Sequence, residues 1–159
     1  MALKFAAELS RQPHPCPNPA KFAPRACVAY RFLRKPSDEG DFEPKLDDVR
    51  GHVTCAHYAL SFFSSIEKAQ ERYSSLAAAN DDDGQTAIKR YGDHIGEVAL
   101  SATDGLMDEP NPRTGHIGLH QAVGATFSGR VSRYFTCEFL ERYPILHYTI
   151  VAADDLVHP

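Results

Sequence analysis

The sequence lacks the long apolar segment of about 18 to 20 residues that a membrane-spanning helix requires. The amino-terminal stretch MALKFAAELS has only a short apolar patch, interrupted by Glu8, so we expect no export signal. Walker A, GxGxxG, HExxH and GxSxG motifs are missing, and no helix-turn-helix pattern is present. The sequence therefore does not indicate a membrane protein, a P-loop or Rossmann-type enzyme, a zincin protease or an α/β-hydrolase.

Cysteine is scarce, and the four cysteines Cys16, Cys27, Cys55 and Cys137 are widely separated. None of them forms a CxxC pair. This spacing favours free or buried thiols in a reducing compartment over a disulfide framework. We therefore predict a cytoplasmic location.

The sequence has no excess of positive charge: 17 Lys and Arg residues stand against 21 Asp and Glu residues. The net charge of -4 gives no overall basic field that would draw the chain onto nucleic acid or anionic lipid. A basic stretch from Lys21 to Lys35 is followed by an acidic stretch from Asp38 to Asp48. We interpret both as a solvated loop rather than a phosphate-binding face.

Proline is concentrated near the amino terminus, where PHPCPNPAKFAP contains five prolines between Pro13 and Pro24. Each proline fixes φ and removes a backbone donor, so we expect a proline-rich arm over residues 1–25 and a single α+β domain over 26–159. Apolar and aromatic residues then predict a first strand over 26–33. A second, core-crossing strand is predicted within 53–63.

One main helix is predicted after the second strand. Ser64 and Glu67 have the S-x-x-E spacing of a capping box, in which each side chain satisfies a free backbone N–H at a helix start. Apolar residues then recur at helical spacing from Ile66 to Leu76. The sequence NDDDG ends the helix, and QTAIKRY, which follows it, has the composition of a second, short helix.

The carboxy-terminal half reads mainly as strands. Residues 101–115 form either a loop that lines a cleft or a solvated connection, and 127–132 gives no clear pattern. This order of elements favours an α+β fold with a largely antiparallel sheet. Strands are predicted over 94–100, 116–120, 134–140 and 145–151.

Histidine and cysteine residues raise the question of a metal site, the candidates being His52, Cys55, His57, His116 and His120. On strands, Cys55 and His57 would share one face, as would His116 and His120, so two facing strands would present four zinc ligands. The spacing matches no common zinc module, and such residues on apolar strands are more often packed in the core. We therefore predict no metal ligands and no zinc.

A second set of residues combines Arg31, Ser61 and Glu138, with Glu141 as the substitute for Glu138 on the opposite strand face. The stretch YALSFFSSIEKAQERY, followed after a gap by GEVAL, resembles the strand, helix and next strand of the ADP-ribosyltransferase fold. The order of arginine, serine and glutamate is similar to the catalytic order of the arginine-serine-glutamate branch of that family. The resemblance covers about half of the chain.

The resemblance implies an enzyme of the toxin or effector type that uses NAD. Arg31 would clamp the pyrophosphate of NAD, and Ser61 would position the nicotinamide ribose. Tyr58 or Tyr73 would stack on a ring of the cofactor. Glu138 would stabilise the oxocarbenium charge that develops as the glycosidic bond breaks.

An alternative assigns these residues ordinary structural roles, as a salt-bridging arginine, a helix-capping serine and a solvent-facing strand glutamate. The chain would then be a non-catalytic interaction module, such as an immunity, antitoxin or accessory subunit, whose acidic surface binds a basic protein partner. The helix with the later GHIGLHQ segment is also similar to small bacterial proteins, a likeness that implies no function.

Overall fold

The computed structural model describes residues 1–35, 38–46, 49, 51–79, 85–137 and 150–152. Its α-helices are α1 (Ala6–Leu9), α2 (Ile66–Ala79) and α3 (Gln85–Tyr91). Its strands are β1 (Cys27–Leu33), β2 (Leu60–Phe63), β3 (His94–Leu100), β4 (Gly105–Met107), β5 (His116–Gln121), β6 (Val131–Thr136) and β7 (Ile150–Ala152). The strands form one antiparallel sheet in the order β4-β5-β2-β1-β3-β6-β7. The predicted α+β class with one main helix is confirmed.

Strand β1 lies in the middle of the sheet, and its alternating side chains separate two cores. Ala29 and Leu33 belong to the larger core on one face of the sheet. Tyr30 and Phe32 pack on the other face, which α2 and α3 cover. Helix α2 completes this second core with three residues spaced four positions apart, Ala69, Tyr73 and Ala77.

The segment 53–63 is a strand only at its end. A 3-10 turn over Cys55–Tyr58 precedes the four residues of β2, and the core-crossing strand predicted within 53–63 is confirmed at this end, where Leu60 and Phe62 are buried in the larger core. The backbone N–H of Thr54 donates to Nδ1 of His57 at 2.9 Å, and the N–H of His57 donates to the carbonyl of Thr54 at 3.0 Å. These local bonds satisfy the backbone without a strand partner and turn the chain.

Helix α2 is confirmed where the sequence predicts the main helix, but Ser65 caps it rather than Ser64. The N–H of Lys68 donates to Oγ of Ser65 at 3.3 Å. The N–H of Ser64 instead donates to the carbonyl of Gly115 at 2.8 Å, which ties the helix start to β5. The short helix predicted from QTAIKRY is confirmed as α3, and the stop signal at 80–84 lies outside the described residues.

Two of the later strands lie where the sequence predicts them, and the rest of this region differs from its prediction. Strands β3 and β5 are confirmed, and the region 101–115, expected to be all loop, contains β4, which pairs with β5. Strand β6 begins at Val131, because the 3-10 turn Ser128–Arg130 ends there. Residues 138–140 and 145–149 of the two predicted late strands lie outside the described residues.

The proline-rich arm lies against the sheet and carries a disulfide. Backbone bridges join Leu3 to Ala122 and Ala23 to Met107. Cys16 is bonded to Cys55, with a Cα–Cα distance of 5.8 Å. The expectation of free thiols is therefore wrong for these two residues, because a sequence separation of 39 gives no local signal of pairing. The two cysteines that remain free are Cys27 and Cys137.

The helices in the described part of the chain are all too short or too polar to cross a membrane.

Candidate functional site

A cleft of about 340 Å³ opens on the face of the sheet that carries α2. Strands β1, β2 and β5 form its floor, and α2, α3 and the segment before β2 form its walls. The residues that line it include three aromatic side chains, two histidines and several cations. The lining includes Phe32, Lys45, His57, Ser61, Phe63, Arg72, Tyr91 and His116, together with the carboxylate Glu43.

Ser61 and His116 meet at the floor of this cleft. Oγ of Ser61 and Nε2 of His116 are 3.1 Å apart. The register of the sheet explains this contact, because Ser61 pairs with Gly118 and Phe63 pairs with His116. Ser61 and His116 are therefore diagonal neighbours on one face, within reach of a long side chain. The edge of the His116 ring also packs on Phe63, with ring centroids 5.9 Å apart.

Gly115 allows His116 to begin β5 directly beside α2. Its φ of 67° lies in the left-handed region, a backbone conformation that residues other than glycine rarely adopt. A Cβ at this position would lie 2.7 Å from Cβ of Lys68 and 2.9 Å from Oγ of Ser64. The absence of a side chain thus permits the close approach of helix and strand that positions the Ser61–His116 pair.

The surroundings of His116 favour its neutral form. Burial lowers the pKa of His116, and the nearby charge of Arg72 lowers it further, although Asp108 acts in the opposite direction. Oδ1 of Asp108 accepts the backbone N–H of Gly118 at 2.7 Å. With the ring proton on Nδ1, Nε2 of neutral His116 accepts the hydroxyl hydrogen of Ser61.

Arg31 lies beside Ser61, but it contacts the main chain. Nε donates to the carbonyl of Asp41 and Nη1 donates to the carbonyl of Ser61, both at 2.7 Å. The guanidinium lies 5.8 Å from the ring centroid of Phe42 and 5.5 Å from that of Phe62. It is 8% exposed, and burial lowers the pKa of Arg31 to about 10 despite the nearby Asp41. Arg31 therefore ties the 3-10 turn Glu39–Phe42 to β2.

The two tyrosines expected to stack on the cofactor contact other parts of the protein. Tyr58 packs on Phe5, with ring centroids 5.4 Å apart. Tyr73 is fully buried, and its hydroxyl donates to the carbonyl of Gly92. Neither tyrosine is among the described residues that line the cleft. Glu138 and Glu141 lie outside the described residues.

Several cleft residues did not emerge from the sequence. Arg72 and Leu76 both line the cleft from α2, and their spacing of four residues is the one signal that could have paired them. Tyr91 comes from the end of α3, and Lys45 comes from the segment after the first 3-10 turn. Only the tertiary fold brings the last two together, with Nζ of Lys45 lying 5.9 Å from the Tyr91 ring centroid.

The histidines and cysteines considered as metal ligands do not converge on one set of four. His57 contacts Thr54, and His116 contacts Ser61. Cys55 is bonded to Cys16, and its Sγ lies 3.7 Å from Nε2 of His120.

Comparison with known proteins finds no family model, no curated protein and no solved structure that matches the chain.

Proposed function

We propose that the cleft around Ser61 binds NAD and that the chain is an ADP-ribosyltransferase-like protein. The observation that carries the proposal is the Ser61–His116 hydrogen bond at the floor of a cleft lined by aromatic and cationic side chains. NAD combines planar rings, ribose hydroxyls and an anionic pyrophosphate, so it requires all three kinds of contact. The sequence resemblance supports the same ligand.

Arg72 is the residue to which we assign the pyrophosphate. It is exposed on α2 at the cleft, and it makes no ion pair with any carboxylate in the described part of the chain. Its guanidinium can therefore donate two parallel hydrogen bonds to phosphate oxygens without losing an ion pair to any of the described residues. The clamping role that the resemblance gives to Arg31 passes to Arg72 because both hydrogen bonds of Arg31 go to backbone carbonyls.

The remaining contacts follow from the positions of the cleft residues. Tyr91 and Phe32 offer aromatic faces for a ring of the ligand, in place of Tyr58 and Tyr73. Ser61 and His116 offer a donor and an acceptor for ribose hydroxyls or the nicotinamide amide. Arg31 positions Ser61 by holding its carbonyl. The carboxylate that stabilises the oxocarbenium charge remains assigned to Glu138.

A thermal-shift titration with NAD, followed by an assay for released nicotinamide, tests this function. A ligand that binds only the folded state raises its stability by about 2.7 kcal/mol at one hundred times its Kd. We expect NAD to raise the Tm and Ser61→Ala to reduce this shift, whereas Ser75→Ala, on the exposed side of α2, leaves it unchanged. No shift at millimolar NAD would favour the non-catalytic interaction module instead.

The same hydrogen bond favours a second candidate, hydrolysis of an ester with Ser61 as the nucleophile. A serine beside a neutral histidine is the arrangement in which the histidine accepts the serine proton as the nucleophile attacks. A fluorophosphonate probe separates the two functions. Labelling of Ser61 that is lost in His116→Gln supports the ester hydrolase, and absence of labelling in the wild type excludes it.

A further inference from the structure

A cluster of three metal-ligating side chains lies apart from the Ser61–His116 pair. Cys16 comes from the proline-rich arm, Cys55 from the 3-10 turn before β2, and His120 from β5. One ligand atom from each residue lies within 4.8 Å of the other two. Three elements that are distant in sequence thus bring two sulfur atoms and one imidazole together.

His120 is the member of the cluster that points to a ligand. It is 1% exposed, and Nδ1 has no hydrogen-bond partner among the described residues. Nε2 lies 3.7 Å from Sγ of Cys55, a weak hydrogen-bonding partner, and the ring packs edge-on against Phe22. A buried imidazole whose nitrogens lack a strong partner costs free energy, so its position beside the disulfide requires an explanation.

We propose that reduction of the Cys16–Cys55 disulfide opens a site for one zinc ion, held by two thiolates and by Nε2 of His120. A dithiol reductant transfers two electrons and two protons to the disulfide, so that the S–S bond breaks, two S–H groups form and the reductant becomes a disulfide. Zinc then displaces the two thiol protons to solvent. Two thiolates and one imidazole are ligands that zinc prefers, and three protein ligands leave a fourth position open.

The geometry requires one sulfur to move. Tetrahedral zinc with typical bond lengths separates a sulfur from a nitrogen ligand by about 3.6 Å and two sulfurs by about 3.8 Å. Cys55 and His120 already have the first separation. The two sulfurs are bonded to each other in the disulfide, so Cys16 must move away from Cys55 once the bond is broken. Cys16 lies in the arm rather than in the sheet, so this shift does not disturb the strand pairing.

A zinc titration of the oxidised and reduced protein tests the proposal. The protein is reduced anaerobically with a phosphine, which becomes the phosphine oxide, and Zn²⁺ is added in competition with a chromophoric chelator. We expect one equivalent of zinc on the reduced protein and none on the oxidised protein. Cobalt substituted for zinc should give sulfur-to-metal charge-transfer bands and the intense visible bands of a tetrahedral site.

Variants identify the ligands. We expect Cys16→Ser, Cys55→Ser and His120→Gln each to lose the bound equivalent, whereas Cys27→Ser, which changes a cysteine outside the cluster, retains it. Circular dichroism identifies the variants that remain folded. Cys16 lies in none of the described strands and helices, so Cys16→Ser changes no residue of these elements. A reduced wild type that binds no zinc overturns the proposal. Zinc binding that persists in Cys16→Ser, or that is equal before and after reduction, also overturns it.

Discussion

Nη1 of Arg31 donates a hydrogen bond of 2.7 Å to the carbonyl oxygen of Ser61, while Nε of the same side chain donates to the carbonyl of Asp41. The guanidinium lies over the rings of Phe42 and Phe62, and it is almost fully buried. Arg31 thus connects a 3-10 turn to the strand that carries Ser61. The side chain makes both of these hydrogen bonds inside the protein, although the residue also lines the cleft.

Arg31→Lys should destabilise the fold. An ammonium group on a flexible stem cannot reproduce two hydrogen bonds from a planar fork, so one of the two carbonyls loses its donor. We expect the free energy of unfolding to fall by about 2 to 4 kcal/mol, measured by urea denaturation. Arg113→Lys, at an exposed loop position, serves as the control. An Arg31→Lys protein as stable as the wild type would show that Arg31 has no structural role.

Asp104 and Arg130 form a paired contact, with both carboxylate oxygens 2.8 Å from guanidinium nitrogens. Burial alone would raise the pKa of Asp104, but the hydrogen bonds from Arg130 and Ser101 outweigh burial and hold the pKa below its usual value. The carboxylate therefore contributes stability above the unfolded pKa of about 3.9, and this contribution is lost as the pH falls through the lower folded pKa.

Asp104→Asn should therefore reduce the free energy of unfolding at pH 7 by about 2 to 3 kcal/mol and remove part of the acid sensitivity. Urea denaturation at pH 7 and pH 3 measures both effects. The control is Glu109→Gln, which breaks the exposed contact with Arg25 and should cost less than about 1 kcal/mol. Equal losses in the two variants would refute the importance of the Asp104–Arg130 pair.

His116 predicts a second pH dependence, at a higher pH. Because burial lowers its pKa in the folded state, the unfolded chain binds more protons just below pH 6.5. The free energy of unfolding should therefore decrease as the pH falls through the unfolded pKa of about 6.5 and level off below the folded pKa. Subtracting the stability profile of His116→Gln from that of the wild type isolates this contribution. A flat difference profile between pH 7 and pH 5 would show that folding does not perturb His116.

The Cys16–Cys55 disulfide closes a long loop, since the two residues are 39 positions apart. In the loop-entropy description, a cross-link of this length stabilises the fold by about 3 to 4 kcal/mol. We expect reduction in the presence of a metal chelator to lower the free energy of unfolding by this amount. Thiol counting on the denatured, oxidised protein should give two free cysteines. Four free cysteines in protein purified without reductant would contradict the disulfide.

The sequence predicts the local elements better than the contacts between them. The strand ahead of α2, the helix itself and β3 each have a periodic or compositional signal, and the structure confirms all three. The 3-10 turn at Cys55–Tyr58 was not predicted. It is stabilised by a hydrogen bond from the backbone N–H of Thr54 to the His57 side chain, and such a contact leaves no signal in the hydrophobicity of the sequence. The predicted helix cap was off by one residue because Ser64 and Ser65 are adjacent serines, and either one can cap a helix.

The candidate site was predicted only in part. Ser61 was identified from its position at the end of a strand, and it does line a cleft. Its partner His116 is 55 residues away, and only the register of β2 with β5 brings the two together. In the sequence, Arg72 looks like any solvent-facing helix residue. It lines the cleft only because of where α2 packs on the sheet. The disulfide is likewise a long-range pairing, which spacing along one chain does not reveal.

Calorimetric titration with NAD tests the central claim most directly. The wild type should bind one NAD per chain, and Arg72→Gln should weaken binding about tenfold or more, which corresponds to the loss of about 1.4 kcal/mol or more from a charge-assisted contact. Arg113→Gln, which removes an exposed arginine outside the cleft, should bind NAD as the wild type does. Absence of NAD binding by the wild type, or equal affinity in Arg72→Gln and Arg113→Gln, would contradict the assignment of the cleft as an NAD site.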